Sequence, residues 1–120
     1  MALKEPKCLQ GNLSPSHLRA KQQEKEIAKR TGGRQTPGSG NKTVKGDVRV
    51  KGVMRIEAKT TKHLSFTVTT EHISNITNAV AGTLEIPCMA IEFGDGTSFV
   101  ILPESALDTI LEIARTRCPS

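Results

Sequence analysis

The sequence predicts an α/β domain, a mixed central β-sheet flanked by helices, in the order helix, three strands, helix, two strands, helix. Three observations predict it. Two adjoining stretches, Gly46–Gly52 and Val53–Lys59, alternate apolar and charged residues with the period of two that marks a half-buried strand. Three other stretches space their apolar residues three and four apart, as a helix with one inward stripe does. A Gly94-Asp95-Gly96-Thr97 turn joins two further strand-like runs into a hairpin.

Residues 1–14 have no periodicity and carry Pro6, Gly11 and Asn12, which predicts a flexible N-terminal arm ahead of a single domain over 15–120. Ser14-Pro15-Ser16 reads as a helix start, with a hydroxyl cap and proline in the first turn, and Gly32-Gly33 ends a helix over Pro15–Thr31. At about 100° per residue, Ala20, Glu24, Ile27, Ala28 and Thr31 share one sector of that helix. Leu18 falls outside the sector. Glu24 therefore faces inward, whereas Glu26 points among Lys25, Lys29, Arg30 and water. An inward carboxylate costs desolvation unless a cation meets it. Glu26 is the fallback acid of this helix.

Arg34–Gly46 reads as loop, because Pro37-Gly38-Ser39-Gly40-Asn41 strings turn formers together and its charges, Arg34, Lys42 and Lys45, are all positive. Gly52 then joins the first two strands as an antiparallel hairpin. One face of the second strand carries Met54, Ile56 and Ala58; the other carries Arg55, Glu57 and Lys59. A third strand is expected over Leu64–Thr69, with Phe66 and Val68 on one face. Helices follow from Thr70 or Glu71 to Ala81 and from Glu104 to Thr116, separated by strands at Ile86–Phe93 and Ser98–Leu102. Ala106, Leu107, Ile110, Leu111 and Ala114 form the expected buried face of the last helix.

Composition narrows the function classes. The 120 residues carry a net charge of +5, but its distribution is lopsided. Met1–Lys62 holds 15 Lys/Arg against 5 Asp/Glu, and His63–Ser120 holds 2 against 7. A basic first half favours a polyanionic partner such as nucleic acid. Cys8, Cys88 and Cys118 lack the spacing of a zinc motif or a disulfide framework, which predicts a cytoplasmic protein. No apolar run is long enough to cross a membrane, and no signal-peptide core is present, so no membrane partner is expected. His17, His63 and His72 are scattered and read as surface or capping residues rather than ligands. Cys88 and Met89 read as core.

The chemistry concentrates on the hairpin. Glu57 and Lys59 lie roughly 6.5–7 Å apart on one strand face, and Asp47 on the neighbouring strand shares that face if the register allows. Carboxylates that hold Mg²⁺, beside a lysine, supply much of what phosphodiester hydrolysis needs: an activated water and neutralised phosphate charge. The same residues also read as a salt-bridge ladder on a solvated sheet face.

The series E-K-E-I-A-K, P-G-S-G, G-D-V, I-E-A-K-T-T and S-F-T-V-T-T, over Gln22–Val80, resembles the PD-(D/E)XK nuclease superfamily. Within it the likeness is greatest to archaeal-type Holliday junction resolvases and their phage-encoded relatives. The resemblance implies a restriction-endonuclease-like core and a structure-selective endonuclease that resolves four-way junctions in branched double-stranded DNA. It implies a homodimer, Mg²⁺ (or Mn²⁺) as cofactor, no small-molecule cofactor, and the host cytoplasm as location if a phage encodes the chain. Glu24, Asp47 and Glu57 would be metal ligands with the Ala58 carbonyl, Lys59 the catalytic lysine, and Ser39 a residue near the scissile phosphate. Arg34, Ser39, Lys42, Lys45 and Lys62 would touch DNA. Gly46 stands where the motif usually has proline. The alternatives are a nicking, repair or restriction-type nuclease and a non-catalytic basic nucleic-acid-binding module.

Overall fold

The computed structural model describes residues 15–36 and 48–117. They form α1 (Pro15–Thr31), β1 (Arg34–Gln35), β2 (Val48–Val50), β3 (Met54–Thr60), α2 (Thr70–Ala79), β4 (Ile86–Glu92), β5 (Ser98–Ile101) and α3 (Glu104–Arg117). The five strands make one mixed sheet in the order β1-β2-β3-β4-β5. Only β3 and β4 are parallel; the other neighbours are antiparallel. The α/β class with a mixed sheet is therefore as expected.

Local chemistry accounts for the elements. Gly32, at φ +76°, takes the chain out of α1 in a conformation that a side chain disfavours. Gly52, at φ +77°, turns β2 into β3, closed by the Val53 amide donating to the Val50 carbonyl at 2.9 Å. Thr69 caps α2 reciprocally with His72: the His72 amide donates to Thr69 Oγ1 at 3.2 Å, and the Thr69 amide donates to His72 Nδ1 at 3.1 Å. His72 is thus a capping residue. At the β4–β5 turn the Thr97 amide donates to Asp95 Oδ1 at 3.0 Å.

The sheet is buried on both faces through β4, whose successive residues alternate between two apolar clusters. Cys88 and Ala90 join Ile27, Val48 and Ile56 beneath α1, while Met89 and Ile91 join Ile76 of α2. Each fully buried side chain of this size contributes about 1.5–3 kcal/mol. Burial also pushes the Cys88 thiol up to about 11, so it behaves as core, as its apolar setting predicts.

Three expectations need correction. Leu64–Thr69 is not a strand. Its alternation is real, but β2 and β4 already flank β3, and a parallel β3–β4 pair requires a long crossover. Residues 61–69 begin that crossover, and only Phe66 packs into the core beside Met89 and Ile91. The third strand is instead Arg34–Gln35, inside the stretch expected to be loop; the rest of that loop from residue 37 lies outside the described residues, as does the arm at 1–14. Finally, α3 buries only Ala106, whereas Leu107, Ile110 and Leu111 are exposed. Among the described residues no element covers that apolar face.

Among the described residues no helix is long and apolar enough to cross a membrane.

Candidate active site

The α1 wheel turns Glu24 toward the sheet, and its carboxylate is half-buried. Gln35 Nε2 of β1 donates to Glu24 Oε1 at 3.4 Å. Burial pushes the Glu24 carboxyl above the usual carboxylate range. The Gln35 hydrogen bond and the Lys21 charge oppose it, and the Glu57 charge adds a smaller push in the same direction as burial.

Glu57 and Lys59 sit on β3, on the face that carries Met89 and Ile91 on β4, opposite the α1 face. The last described rung between β2 and β3 is Val48–Ile56, and Glu57, Ala58 and Lys59 lie beyond it on β3. Lys59 Nζ lies 3.4 Å from Glu57 Oε2. Both side chains keep contact with solvent, Lys59 at 36% and Glu57 at 25% exposure, so their pairing adds little stability and leaves the ammonium available to a ligand.

The helix is tied to this strand by a residue that the sequence reading overlooked. Gln23 Nε2 donates to the Lys59 carbonyl at 3.0 Å and to the Ala90 carbonyl at 3.3 Å. Gln23 is buried, and its Oε1 lacks a hydrogen-bond partner among the described residues. The available signal was its spacing, four residues before Ile27 on the same helix face. Polarity hid it.

Glu26 points elsewhere. It accepts from Arg19 Nη2 at 3.2 Å and from Gln22 Nε2 at 3.2 Å, and Arg19 also grips Glu92 with bonds of 2.7 and 2.6 Å. Its cationic partner is thus Arg19 rather than Lys25, Lys29 or Arg30. Of the two acids on α1, Glu24 is the one beside Glu57.

Ala58 lies between Glu57 and Lys59 and packs against the cluster beneath α1. Arg34 is exposed on β1, and Lys62 is exposed in the crossover, lining a cleft with Arg19, Glu26 and Glu92. The structure thus pairs Glu57 with Lys59, places Glu24 against Gln35 where the Glu57 charge still reaches it, and leaves Lys62 on the Glu26 side. Ser39, Lys42, Lys45 and Asp47 lie outside the described residues.

The donor set fits Mg²⁺. Both described acids offer hard oxygens, and this ion binds through one or two carboxylates while keeping several waters. Two like charges partly withdrawn from water are also what a divalent cation would stabilise. Among the described residues no group of three or more His, Cys, Asp or Glu is placed to hold a metal.

A second charged cluster was also overlooked. Glu85, 1% exposed, accepts from Arg49 Nε at 2.6 Å, Arg55 Nε at 3.0 Å and the Gly52 amide at 3.1 Å. Burial alone would raise its pKa, but these donors outweigh it and hold the carboxyl below its ordinary range.

No protein-family model, curated protein or solved structure matches the chain.

Proposed function

We propose that this protein is a Mg²⁺-dependent DNA endonuclease that cuts branched duplexes, four-way junctions above all, as a homodimer. The observation that carries the reading is the Glu57–Lys59 pair, 3.4 Å apart and partly exposed on one face of β3, with the inward acid Glu24 on α1 within reach of the Glu57 charge. The PD-(D/E)XK resemblance assigns roles to these three residues, and the order α-β-β-β-α-β at the start of the fold agrees with that core.

Glu24 and Glu57 would hold the metal with the Ala58 carbonyl and Asp47. When bound, the ion supplies an acidified water and neutralises phosphate charge. Lys59 directs its ammonium donors to a phosphate oxygen and stabilises the charge that develops there. Gln23, by gripping the Lys59 carbonyl, fixes the distance between helix and strand, so that acids from separate elements stay in one geometry. Arg34, with Ser39, Lys42, Lys45 and Lys62, would contact the backbone, in keeping with a first half rich in Lys and Arg.

Dimerisation is supported by the uncovered apolar side chains of α3, Leu107, Ile110 and Ile113. Contiguous exposed apolar surface marks interaction sites. A dimer would present two sites for paired nicks.

The test compares a four-way junction, a linear duplex and a flap, each with Mg²⁺ and with EDTA. The reading expects preferential junction cutting that EDTA abolishes and that Lys59→Ala reduces by about 10²-fold or more. Cleavage that persists unchanged in Lys59→Ala and Glu57→Gln would overturn it. Equal cutting of the linear duplex would keep the nuclease and remove the junction preference, and tight binding without hydrolysis would point to a non-catalytic module.

A further inference from the structure

Three arginines stand side by side across the sheet. Arg34 on β1 pairs with Arg49 on β2, and Arg49 pairs with Arg55 on β3, so all three project from one face. It is the face that carries Glu57 and Lys59, because Arg55 lies two residues before Glu57 on the same strand. With Lys51 they line an open cleft of about 760 Å³ bounded by Gly32 and Thr36.

Like charges directly opposite each other on adjacent strands destabilise a sheet by a few tenths to about 1 kcal/mol. Here one carboxylate, Glu85, answers two of the four cations. Glu85 holds Arg49 and Arg55 by their Nε atoms, and Arg55 Nη1 also donates to the Ala79 carbonyl at the end of α2 at 3.1 Å. These bonds fix the two guanidinium groups from below. Arg34 and Lys51 are exposed, and neither has an ion-pair partner among the described residues. A rigid, positively charged floor with two exposed cations at its rim suits an extended polyanion. Adjacent strands lie about 4.8 Å apart, so the row spans roughly 10 Å, enough to meet more than one phosphate.

We infer that the Arg34–Arg49–Arg55 row, with Lys51, binds the phosphodiester backbone of DNA as a contact separate from the Glu24–Glu57–Lys59 cluster. This contact rests on the reading of DNA as the partner, in which Arg34 already meets the backbone, and extends it to Arg49, Arg55 and Lys51; it needs no hydrolysis.

Duplex binding in EDTA, followed by fluorescence anisotropy over a series of salt concentrations, tests it. Arg34→Gln/Lys51→Gln should weaken binding roughly tenfold and flatten the slope of log K against log salt by about 0.9 for each lost contact. Lys29→Gln, which removes an exposed cation from α1, serves as the control, and unchanged Tm establishes that each variant is folded. If the double variant loses no more affinity and slope than the control, the inference is wrong. If inorganic phosphate binds the wild type but not the double variant while the duplex binds both equally, the cleft is a free-phosphate site and the inference is also wrong. Because no metal is present, loss of this contact is distinguishable from loss of the nuclease reading, which is judged on cleavage alone.

Discussion

The Glu57 charge on β3 reaches Glu24 on α1, a residue far off in sequence, and adds a small push to the rise of its pKa. Burial first, and the Glu57 charge in addition, hold the Glu24 carboxyl above its ordinary range. A folded protein that keeps two such groups together carries an electrostatic cost, and costs of this kind concentrate at functional sites.

Glu24→Gln should therefore raise Tm in metal-free buffer at neutral pH. A carboxyl whose folded pKa is raised contributes stability that is full below its unfolded value, near 4.3, and is lost as pH rises through the folded value. Ionised Glu24 thus weakens the fold at pH 7, and glutamine does not ionise. Thermal melts from pH 4 to 8 should show the variant's advantage growing with pH. An advantage that is absent at pH 7 contradicts the geometry.

The Arg49–Glu85–Arg55 cluster should behave oppositely. Its carboxyl is held below the ordinary range, so its stabilising contribution is present above about 4.3 and is lost as pH falls through the lower folded value. Glu85→Gln should cost about 3 kcal/mol at pH 7, since it leaves two guanidinium groups without their anion. Urea denaturation at pH 7 and at pH 3 should reveal a gap that narrows in acid.

Much of this was legible in the sequence, for identifiable reasons. Glu24 was placed by helical period alone, and Gly52 and the β4–β5 turn by backbone chemistry, because these signals are local. The strand at Arg34–Gln35 is two residues long and carries no period to read. Leu64–Thr69 carried the right period but had no sheet edge to join, and edge availability is a property of the whole fold. Gln23 and Glu85 were missed because burial of a polar side chain depends on partners distant in the chain: Lys59 and Ala90 for one, Arg49 and Arg55 for the other. The face of α3 was read correctly as apolar, but period cannot say whether its cover comes from the same chain.

If a second copy supplies that cover, the protein should sediment at twice its 13.0 kDa. Leu107→Lys/Ile110→Lys should then give a folded monomer, because both side chains are exposed in the single chain, at 50% and 40%, and their replacement removes only intermolecular contact. Analytical ultracentrifugation with circular dichroism would read both outcomes. A wild-type monomer at micromolar concentration would remove the dimer.

The central claim is that Glu24 and Glu57 share one divalent ion. Mn²⁺ binding, followed by the loss of its free-ion electron paramagnetic resonance signal, tests it without any substrate. The wild type should take up Mn²⁺ and release it to excess Mg²⁺, and Glu24→Gln and Glu57→Gln should each bind at least about tenfold more weakly, the cost of about 1.4 kcal/mol or more for one lost ligand. Unchanged Mn²⁺ affinity in both variants would contradict the account.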